Sequence, residues 1–307
     1  MLRLFAIFIC ICTLYSETGL LQAQVNEAKF DEDTFDLKVL SWNLYLLPRF
    51  FKPTKQLIRA KYIAERLVEE DYDALMLQEV FGKLSSTILH KGLKEHYPYC
   101  LGPANKKGSP FKANSGVMIY SKYPLELLTE FQFEDCKGID CWGRKGGLLA
   151  AFEKDGQEYQ IMSTHLQAFE GDKRDKIRLL QYHQILRDVV LPYSKDGVPQ
   201  ILGGDYNTMR RDSFYYDAML SVMNASNSPC VGDTICTYVS FSNDLINSGE
   251  YELVLDYVFL RNNGVKFSEE KRKVRVFQAD WDPRKRRRKG KRKDLSDHYA
   301  VELKLKK

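Results

Sequence analysis

Several short polar runs each follow an apolar stretch typical of a β-strand. They supply the candidate site residues Asn43, Glu79, His165, Asp205, Asn207, Asp256, Asp297 and His298. Open α/β sheets bind ligands at the ends of their strands, so these side chains are expected to meet at one edge. Each run alone fits an ordinary polar turn or a solvated strand end equally well. Their joint occurrence is what predicts a site.

The donor types in this set predict metal-dependent chemistry on a phosphoester. Carboxylate and amide oxygens with two imidazoles and no cysteine suit Mg²⁺ or Mn²⁺, which keep positions for water and a substrate phosphate. A histidine, whose ordinary pKa is about 6.5, can remove a proton from attacking water. Asp256 could fix the tautomer of His298 as the aspartate of a catalytic triad does.

Apolar periodicity places strands directly before most of these residues. A strand at 36–44, a helix over 57–68 and a strand at 74–77 predict an opening βαβ unit. Further strands are expected at about 115–120, 147–153, 158–164, 199–203, 254–260 and 299–305, with a helix over roughly 174–190. His183 falls on the apolar stripe of that helix, and with His90 and His96 it is interpreted as structural.

Length and composition are those of a globular protein. The chain has 307 residues, of which 44% are hydrophobic and 28% charged, which excludes disordered and fibrous classes. No internal repeat or linker marks a second domain, so a single domain is expected over 24–307.

The first 23 residues are expected to be a secretory signal peptide. An apolar run from Leu4 to Tyr15 follows Arg3 and leads to the small residue Ala23. This run is shorter than the roughly 20 apolar residues of a membrane span. A buried N-terminal helix would be the alternative. We therefore expect the mature chain to be secreted.

Cysteine usage agrees with export. Two of the seven cysteines lie in the predicted signal peptide, and the other five cannot all pair. Short spacings suggest the pairs Cys136–Cys141 and Cys230–Cys236, with Cys100 free and buried. A four-cysteine zinc site is the weaker alternative, because the tight spacing of zinc ribbons is missing.

Nine of the ten residues at 284–293 are basic. The formal net charge of +5 therefore leaves −4 for the rest of the chain. Such a run is expected to form a loop that contacts a polyanion, either anionic lipid or nucleic acid, or else simply a solvated loop.

The ordered motifs resemble those of the endonuclease/exonuclease/phosphatase superfamily over nearly the whole mature chain. They are Asn43, Gln78-Glu79, Gly204-Asp205-Tyr206-Asn207, Asp256-Tyr257 and Ser296-Asp297-His298. A closer resemblance, to secreted sphingomyelinases C, is carried by residues 43–48 with Arg59-Ala60, by 79–81, and by 140–142 with Lys145-Gly146. The resemblance implies a four-layer α/β/β/α sandwich with two central mixed β-sheets. It also implies hydrolysis of sphingomyelin to ceramide and phosphocholine.

The same resemblance implies the metal ligands and the base. Asn43, Glu79 and Asp297 would hold Mg²⁺, with Mn²⁺ or Co²⁺ as substitutes. His298 would be the general base, and Asp256 would orient it.

It also implies the residues that contact substrate. Asp205 and Asn207 would bind or orient phosphate and water, and His165 would stabilise the phosphorane or assist the leaving oxygen. Phe81 would line a lipid pocket. A monomer is expected.

One segment departs from the secreted bacterial enzymes, in which an apolar hairpin before the last Asp-His pair enters the bilayer. Here Trp281 and the basic run occupy that position, so electrostatic docking is expected, with Trp281 at headgroup level. Leu46, Leu47, Phe50 and Phe51 form either a second lipid-facing patch or ordinary core. Tyr215 and Tyr216 are candidates for binding choline, or ordinary tyrosines of the core or surface.

Other functions fit parts of the same sequence. A secreted nuclease would use the basic run on DNA or RNA phosphates. A non-catalytic binding module is disfavoured because every candidate metal and base residue is present. An inositol phosphatase fits neither the signal peptide nor the residues that follow Asn207.

Overall fold

A computed structural model describes residues 35–48, 53–106, 113–227, 230–232, 234–247, 249–282 and 292–307. The predicted signal peptide, residues Phe50 and Phe51, and most of the basic run at 284–293 lie outside these ranges. Within them, no helix has the length and apolar character needed to cross a membrane.

The first sheet contains both ends of the described chain. Its strands are β1 (Leu37–Asn43), β2 (Ala74–Gln78), β3 (Tyr99–Leu101), β4 (Met118–Ser121), β9 (Val231–Gly232), β13 (Glu269–Arg275) and β14 (Ala300–Lys306). These seven strands are ordered β3-β4-β2-β1-β14-β13-β9. The sheet is mixed, because β1 runs parallel to β2 and antiparallel to β14.

The second sheet is built from the middle of the chain. Its strands are β5 (Glu126–Gln132), β6 (Gly146–Lys154), β7 (Gln157–His165), β8 (Gln200–Asp205) and β12 (Asp256–Arg261), in the order β12-β8-β7-β6-β5. It is also mixed, with β7 parallel to β8 and the other pairs antiparallel. A separate short pair joins β10 (Tyr238–Val239) to β11 (Glu252–Leu253).

Helices lie on the outer side of each sheet. They are α1 (Gln56–Glu70), α2 (Lys83–Leu93), α3 (Asp172–Ile185), α4 (Leu191–Tyr193) and α5 (Ser213–Met223). A π-helical turn at Leu186–Val190 joins α3 to α4, and a 3₁₀ helix covers Gly138–Trp142. The helices predicted over 57–68 and 174–190 are therefore both present.

Three apolar clusters show how these elements stack. Val39, Met76, Ile161 and Val301 belong to the cluster between the two sheets. Ile63, Leu67 and Leu89 pack α1 and α2 against the outer face of the first sheet. Tyr182, Ile185, Met219 and Met223 pack α3 and α5 against the outer face of the second. The result is the four-layer α/β/β/α sandwich that the resemblance implied.

Two glycines allow close packing beside the site, one between the two sheets and one between neighbouring strands of the second sheet. A Cβ atom at Gly203 would lie 2.5 Å from Met76 Sδ and 3.2 Å from Ser41 Cβ, both on the first sheet. At Gly204 it would lie 2.3 Å from the Thr164 carbonyl oxygen on β7. A side chain at Gly204 would push β7 and β8 apart, so glycine is required there for packing rather than for a turn, whereas a side chain at Gly203 would displace the end of the Met76 side chain.

The cysteines follow the prediction only in part. Cys136 and Cys141 form the expected disulfide, with Cα atoms 5.3 Å apart, and Cys100 is free. The predicted Cys230–Cys236 disulfide is wrong, because both thiols are free. Between these two cysteines, β9 pairs in extended form with β13, so the segment does not fold back as a short disulfide loop would require.

His183 also differs from the prediction. Its side chain is exposed on α3, while the buried positions of this helix include Tyr182 and Ile185. The apolar stripe therefore runs beside His183 rather than through it. His90 is exposed on α2, and His96 pairs with Asp71 at 2.6 Å.

Candidate active site

The ends of several strands meet at one edge of the two sheets, and the predicted site residues lie there. Asn43 ends β1, His165 ends β7 and Asp205 ends β8. Because β12 and β14 run antiparallel to β8 and β1, they begin at this same edge. Asp256 opens β12, and His298 lies just before β14.

Asp205 connects the two sheets at the centre of the site. Its Oδ2 atom accepts a hydrogen bond from Asn43 Nδ2 at 3.0 Å and lies 3.4 Å from His165 Nε2 and 4.0 Å from His298 Nε2. Its Oδ1 atom accepts from the backbone N–H of Asn207 at 2.9 Å. Burial favours the protonated acid, but nearby positive charge, that of His298 first, outweighs it and lowers the pKa of Asp205. The group is therefore an ionised acceptor held in one orientation.

The imidazole of His298 is held from both sides. Its Nδ1 atom lies 2.8 Å from Asp256 Oδ2, and the ring of Tyr238 packs against it with centroids 5.0 Å apart. The His298 carbonyl accepts a hydrogen bond from Trp42 Nε1 at 2.9 Å. Burial alone would lower the pKa of His298, yet the Asp256 and Asp205 carboxylates raise it well above its ordinary value. Because Asp256 engages Nδ1, Nε2 is the atom that can exchange a proton with water.

Lys145 is a buried cation beside His165. Its Nζ atom lies 2.9 Å from His165 Nε2 and 3.2 Å from Asp140 Oδ1, and it donates to the Leu166 carbonyl at 2.7 Å. An ammonium only donates, so this contact assigns the ring proton to Nδ1, a buried atom with no hydrogen-bond partner among the described residues. Burial and Lys145 lower the pKa of His165 to about 3. His165 is therefore neutral at physiological pH.

Glu79 carries the clearest indication of a cation site. It follows β2 in the left-handed region, with φ 59°, a conformation that costs a non-glycine residue free energy. Its Oε2 atom is buried and has no hydrogen-bond partner within the described ranges. Burial, and next the Asp297 carboxylate, raise the pKa of Glu79 to about 7. Two carboxylates competing in this way fit a divalent cation, with Asn43 as an adjacent amide ligand.

A second group could also hold a cation. Asp205, Asp256 and His298 offer ligand atoms that all lie within 4.8 Å of one another. In this group Asp256 Oδ2 already pairs with His298, and both Asp205 oxygens accept hydrogen bonds. Asp256 Oδ1 and Glu79 Oε2 are both buried without a hydrogen-bond partner among the described residues. Asp256 is already paired with His298, whereas Glu79 competes with a second carboxylate, that of Asp297, so the Glu79 side of the site fits the ion better.

Arg59 fixes the two loops next to Asn43 and His298, a predicted metal ligand and the predicted base. It lies fully buried in α1 and donates to the backbone carbonyls of Leu44, at 3.0 Å, and of Leu295, at 2.7 Å. It also donates to the Tyr45 carbonyl and, at 2.8 Å, to Thr54 Oγ1. The loop after Asn43 and the loop before His298 are therefore positioned by one side chain.

An apolar cavity of about 490 Å³ opens onto this site. Its polar lining includes Glu79, Lys145 and His165. Most of its walls are apolar, from Leu47, Pro48, Phe81, Ala113, Ile139, Trp142, Ala168 and Phe169. Phe81, predicted to line a lipid pocket, lies in the wall.

Several candidates for contact with the membrane or with choline are core residues instead. Trp281 is only 3% exposed and donates from Nε1 to the Asp294 carbonyl at 3.0 Å, so it is core rather than a headgroup anchor. Leu46 is also buried, whereas Leu47 lines the cavity. Tyr216 is buried against Tyr257, with ring centroids 5.7 Å apart, which removes it as a choline ligand.

Sequence reasoning assigned no role to Lys145 or Tyr238. Lys145 directly precedes an apolar strand, a signal that suggests burial without showing that His165 is its neighbour. Tyr238 lies in a strand of two residues, too short to give a periodic pattern.

Comparison with known proteins agrees with this fold. The model of the Endonuclease/Exonuclease/phosphatase family matches residues 40–298. Sphingomyelinase C of Listeria ivanovii is 25% identical over 312 residues, which cover 94% of this chain and 90% of that protein. Sphingomyelinase C 2 of Leptospira interrogans serogroup Icterohaemorrhagiae serovar Lai is 26% identical over 257 residues. That match covers 76% of this chain but spans only 40% of the longer Leptospira protein.

Among solved structures, a beta toxin mutant from Staphylococcus aureus with bound magnesium ions superposes with a TM-score of 0.79. The two chains are 24% identical, and the match covers 89% of this chain and all of that one. At this identity the likeness establishes the fold.

Proposed function

The chain belongs to the endonuclease/exonuclease/phosphatase family, and on this premise we propose that it is a secreted, metal-dependent phosphodiesterase that hydrolyses sphingomyelin to ceramide and phosphocholine. The observation that carries the proposal is the apolar cavity beside a phosphoester-type site. Phe81 lines that cavity together with Glu79 and His165. A substrate with a phosphodiester next to a lipid tail matches this combination. The sphingomyelinase C relatives support the same substrate.

We assign the metal to Glu79, Asn43 and Asp297, and Mg²⁺ is the ion we expect. When bound there, a divalent cation would neutralise charge on the phosphoryl oxygens and favour the neutral form of His298. Two features of Glu79 support this assignment. Its Oε2 atom has no hydrogen-bond partner among the described residues, and the pKa of its carboxyl group is raised.

His298 acts as the general base in this proposal. Its Nε2 atom takes the proton of the attacking water, while Asp256 holds Nδ1 and stabilises the imidazolium that results. Asn207 and Asp205 orient the phosphate and the water, since Asp205 is fixed by hydrogen bonds from Asn43 and from the Asn207 backbone.

His165 acts on the leaving-group side. It is neutral, and its Nδ1 proton has no acceptor among the described residues, so Nδ1–H can donate a hydrogen bond that stabilises the departing ceramide oxygen. The ring keeps its proton, and the oxygen takes a proton from solvent. The buried ammonium of Lys145, 2.9 Å from the other ring nitrogen, adds positive charge where negative charge develops.

Export and membrane attraction complete the proposal. The apolar N-terminal segment would direct secretion, and the monomer would approach anionic lipid through the basic run at 284–293. Deleting 284–293 should then weaken binding to anionic vesicles at low salt. Unchanged binding would show that the run has another role.

The basic run also favours one alternative, a secreted nuclease that uses the same site. Parallel assays on sphingomyelin vesicles and plasmid DNA, with Mg²⁺ or a chelator, separate the two. Metal-dependent release of phosphocholine without nicking of DNA supports the sphingomyelinase. Metal-dependent cleavage of DNA alone would assign the site to nucleic acid.

A further inference from the structure

Three large apolar side chains stand in solvent around the mouth of the cavity. Ile139, Trp142 and Phe169 are 57%, 62% and 62% exposed, and all three line the cavity. We propose that these three side chains, the cavity rim, dock the protein onto the sphingomyelin-containing bilayer. The proposal rests on the proposed function for its substrate. The cavity rim would then be the apolar membrane anchor in place of Trp281, which is buried.

The backbone of the rim is held in place, although its residues come from a 3₁₀ helix and from a separate loop. The Cys136–Cys141 disulfide closes the loop that carries Ile139. Asp140 Oδ2 accepts hydrogen bonds from Gln167 Nε2 and from the Ala168 backbone N–H, both at 2.6 Å, and so ties the two loops together. Apolar side chains that were free to move could collapse into the cavity, and these contacts keep them at its mouth.

The Phe169 side of the rim is supported by buried and basic groups. Arg178, which is 2% exposed, donates to the Phe169 carbonyl at 2.9 Å. The guanidinium of Arg174 lies over the Phe169 ring, 5.7 Å from its centroid. An aromatic ring beside a cation suits the headgroup region of a bilayer, where the ring contacts lipid and the cation faces phosphate.

The position of the rim favours a bilayer over a protein partner. The cavity that it surrounds also contains Glu79 and His165, so whatever covers the mouth must deliver the substrate. A protein seated on the rim would close the route to these groups. A bilayer seated there supplies sphingomyelin directly, and its apolar tails meet an apolar wall.

Direct binding to vesicles tests the proposal without turnover. Neutral vesicles of sphingomyelin and cholesterol, with chelator and at physiological salt, suppress both hydrolysis and electrostatic docking. Replacing Trp142→Ala together with Phe169→Ala should weaken co-sedimentation about tenfold or more, and Trp142→Phe should retain most of it. The matched control is Phe214→Ala, because Phe214 is 69% exposed on α5 and does not line the cavity.

The proposal would be overturned if the double variant bound vesicles as well as the wild type does. An equal loss of vesicle binding in Phe214→Ala would also overturn it. A second readout separates it from the proposed function. With Mg²⁺ present, the ratio of activity on vesicles to activity on a water-soluble phosphocholine diester should fall in the double variant. Binding without any hydrolysis by the wild type would refute the function and leave the docking surface intact. Hydrolysis that does not depend on the rim would do the reverse.

Discussion

His298 and Asp256 belong to different sheets, yet Nδ1 of the imidazole lies 2.8 Å from Oδ2 of the carboxylate. Asp256 opens β12 of the second sheet, and His298 precedes β14 of the first. The Asn43–Asp205 hydrogen bond, at 3.0 Å, crosses the same boundary. The site therefore exists only while the two sheets are packed together, and sheet packing and chemistry are expected to fail together.

Asp256 and His298 are expected to act as one unit. Asp256→Asn keeps the shape of the side chain but removes the charge that stabilises the imidazolium, so kcat should fall by about 10²–10⁴-fold. His298→Ala should cost at least as much, and adding Asp256→Asn to it should cost little more. Steady-state kinetics on the two single variants and the double variant measure this. Losses that multiply would show that the two residues act independently.

A side chain at Gly203 is expected to displace Met76 from its packing between the two sheets. Gly203→Ala places a Cβ atom 2.5 Å from Met76 Sδ, so it should lower the free energy of unfolding by about 1–3 kcal/mol and reduce activity as well. Urea unfolding with parallel assays measures both effects. Met76→Val shortens the obstructing side chain and should recover part of the loss when combined with Gly203→Ala. Wild-type stability in Gly203→Ala would contradict close packing of the sheets at this point.

Arg59 should contribute far more to the free energy of unfolding than Arg66, the other arginine of α1. Arg59→Met leaves the buried carbonyls of Leu44 and Leu295 without their donor, and the free energy of unfolding should fall by about 3 kcal/mol or more. Arg66→Met is the control on the same helix. Its partner Glu69, at 3.2 Å, is exposed, so its loss should cost no more than about 1 kcal/mol. Similar costs in both variants would argue against the proposed role of Arg59.

Removing the charge of Lys145 should raise the pKa of His165. After burial, Lys145 is the main reason that this pKa lies at about 3, and the remaining Asp205 and Asp140 carboxylates favour the imidazolium. In Lys145→Met, the imidazole resonances of His165 should therefore titrate at a higher pH in metal-free protein. Lys137→Met, on the neighbouring loop, should leave them unchanged. An unmoved titration in Lys145→Met would remove Lys145 from the electrostatics of the site.

The fold was predictable where local pattern and burial coincide. The strands that carry Asn43, His165 and Asp205 are apolar runs ending in polar residues, so both the strand and its site residue are visible in the sequence. β13 is the opposite case, because Glu269–Arg275 is a run of charges. It becomes a strand through pairing with β14. Arg272 can be buried there because its guanidinium donates to the Val258 carbonyl at 2.6 Å. Such partners are distant in sequence.

The same limit applies to the site. Polar residues at strand ends indicated the proposed ligands and the proposed base, but nothing local shows that Lys145 meets His165 or that Trp281 donates to the Asp294 carbonyl. The exposed rim was missed because Ile139 and Trp142 lie in one short 3₁₀ helix and Phe169 in a loop, which are too short to show a period. Their relation to the cavity arises from packing alone.

Glu79 is proposed to hold the ion that hydrolysis of sphingomyelin requires. Phosphocholine release from sphingomyelin vesicles, measured across a Mg²⁺ titration for wild type and Glu79→Gln, tests it most directly. The wild type should show saturable, chelator-sensitive activity, and Glu79→Gln should lose about 10²-fold or more, with its Mg²⁺ requirement moved to higher concentration. Equal activity and equal Mg²⁺ dependence in both proteins would contradict it.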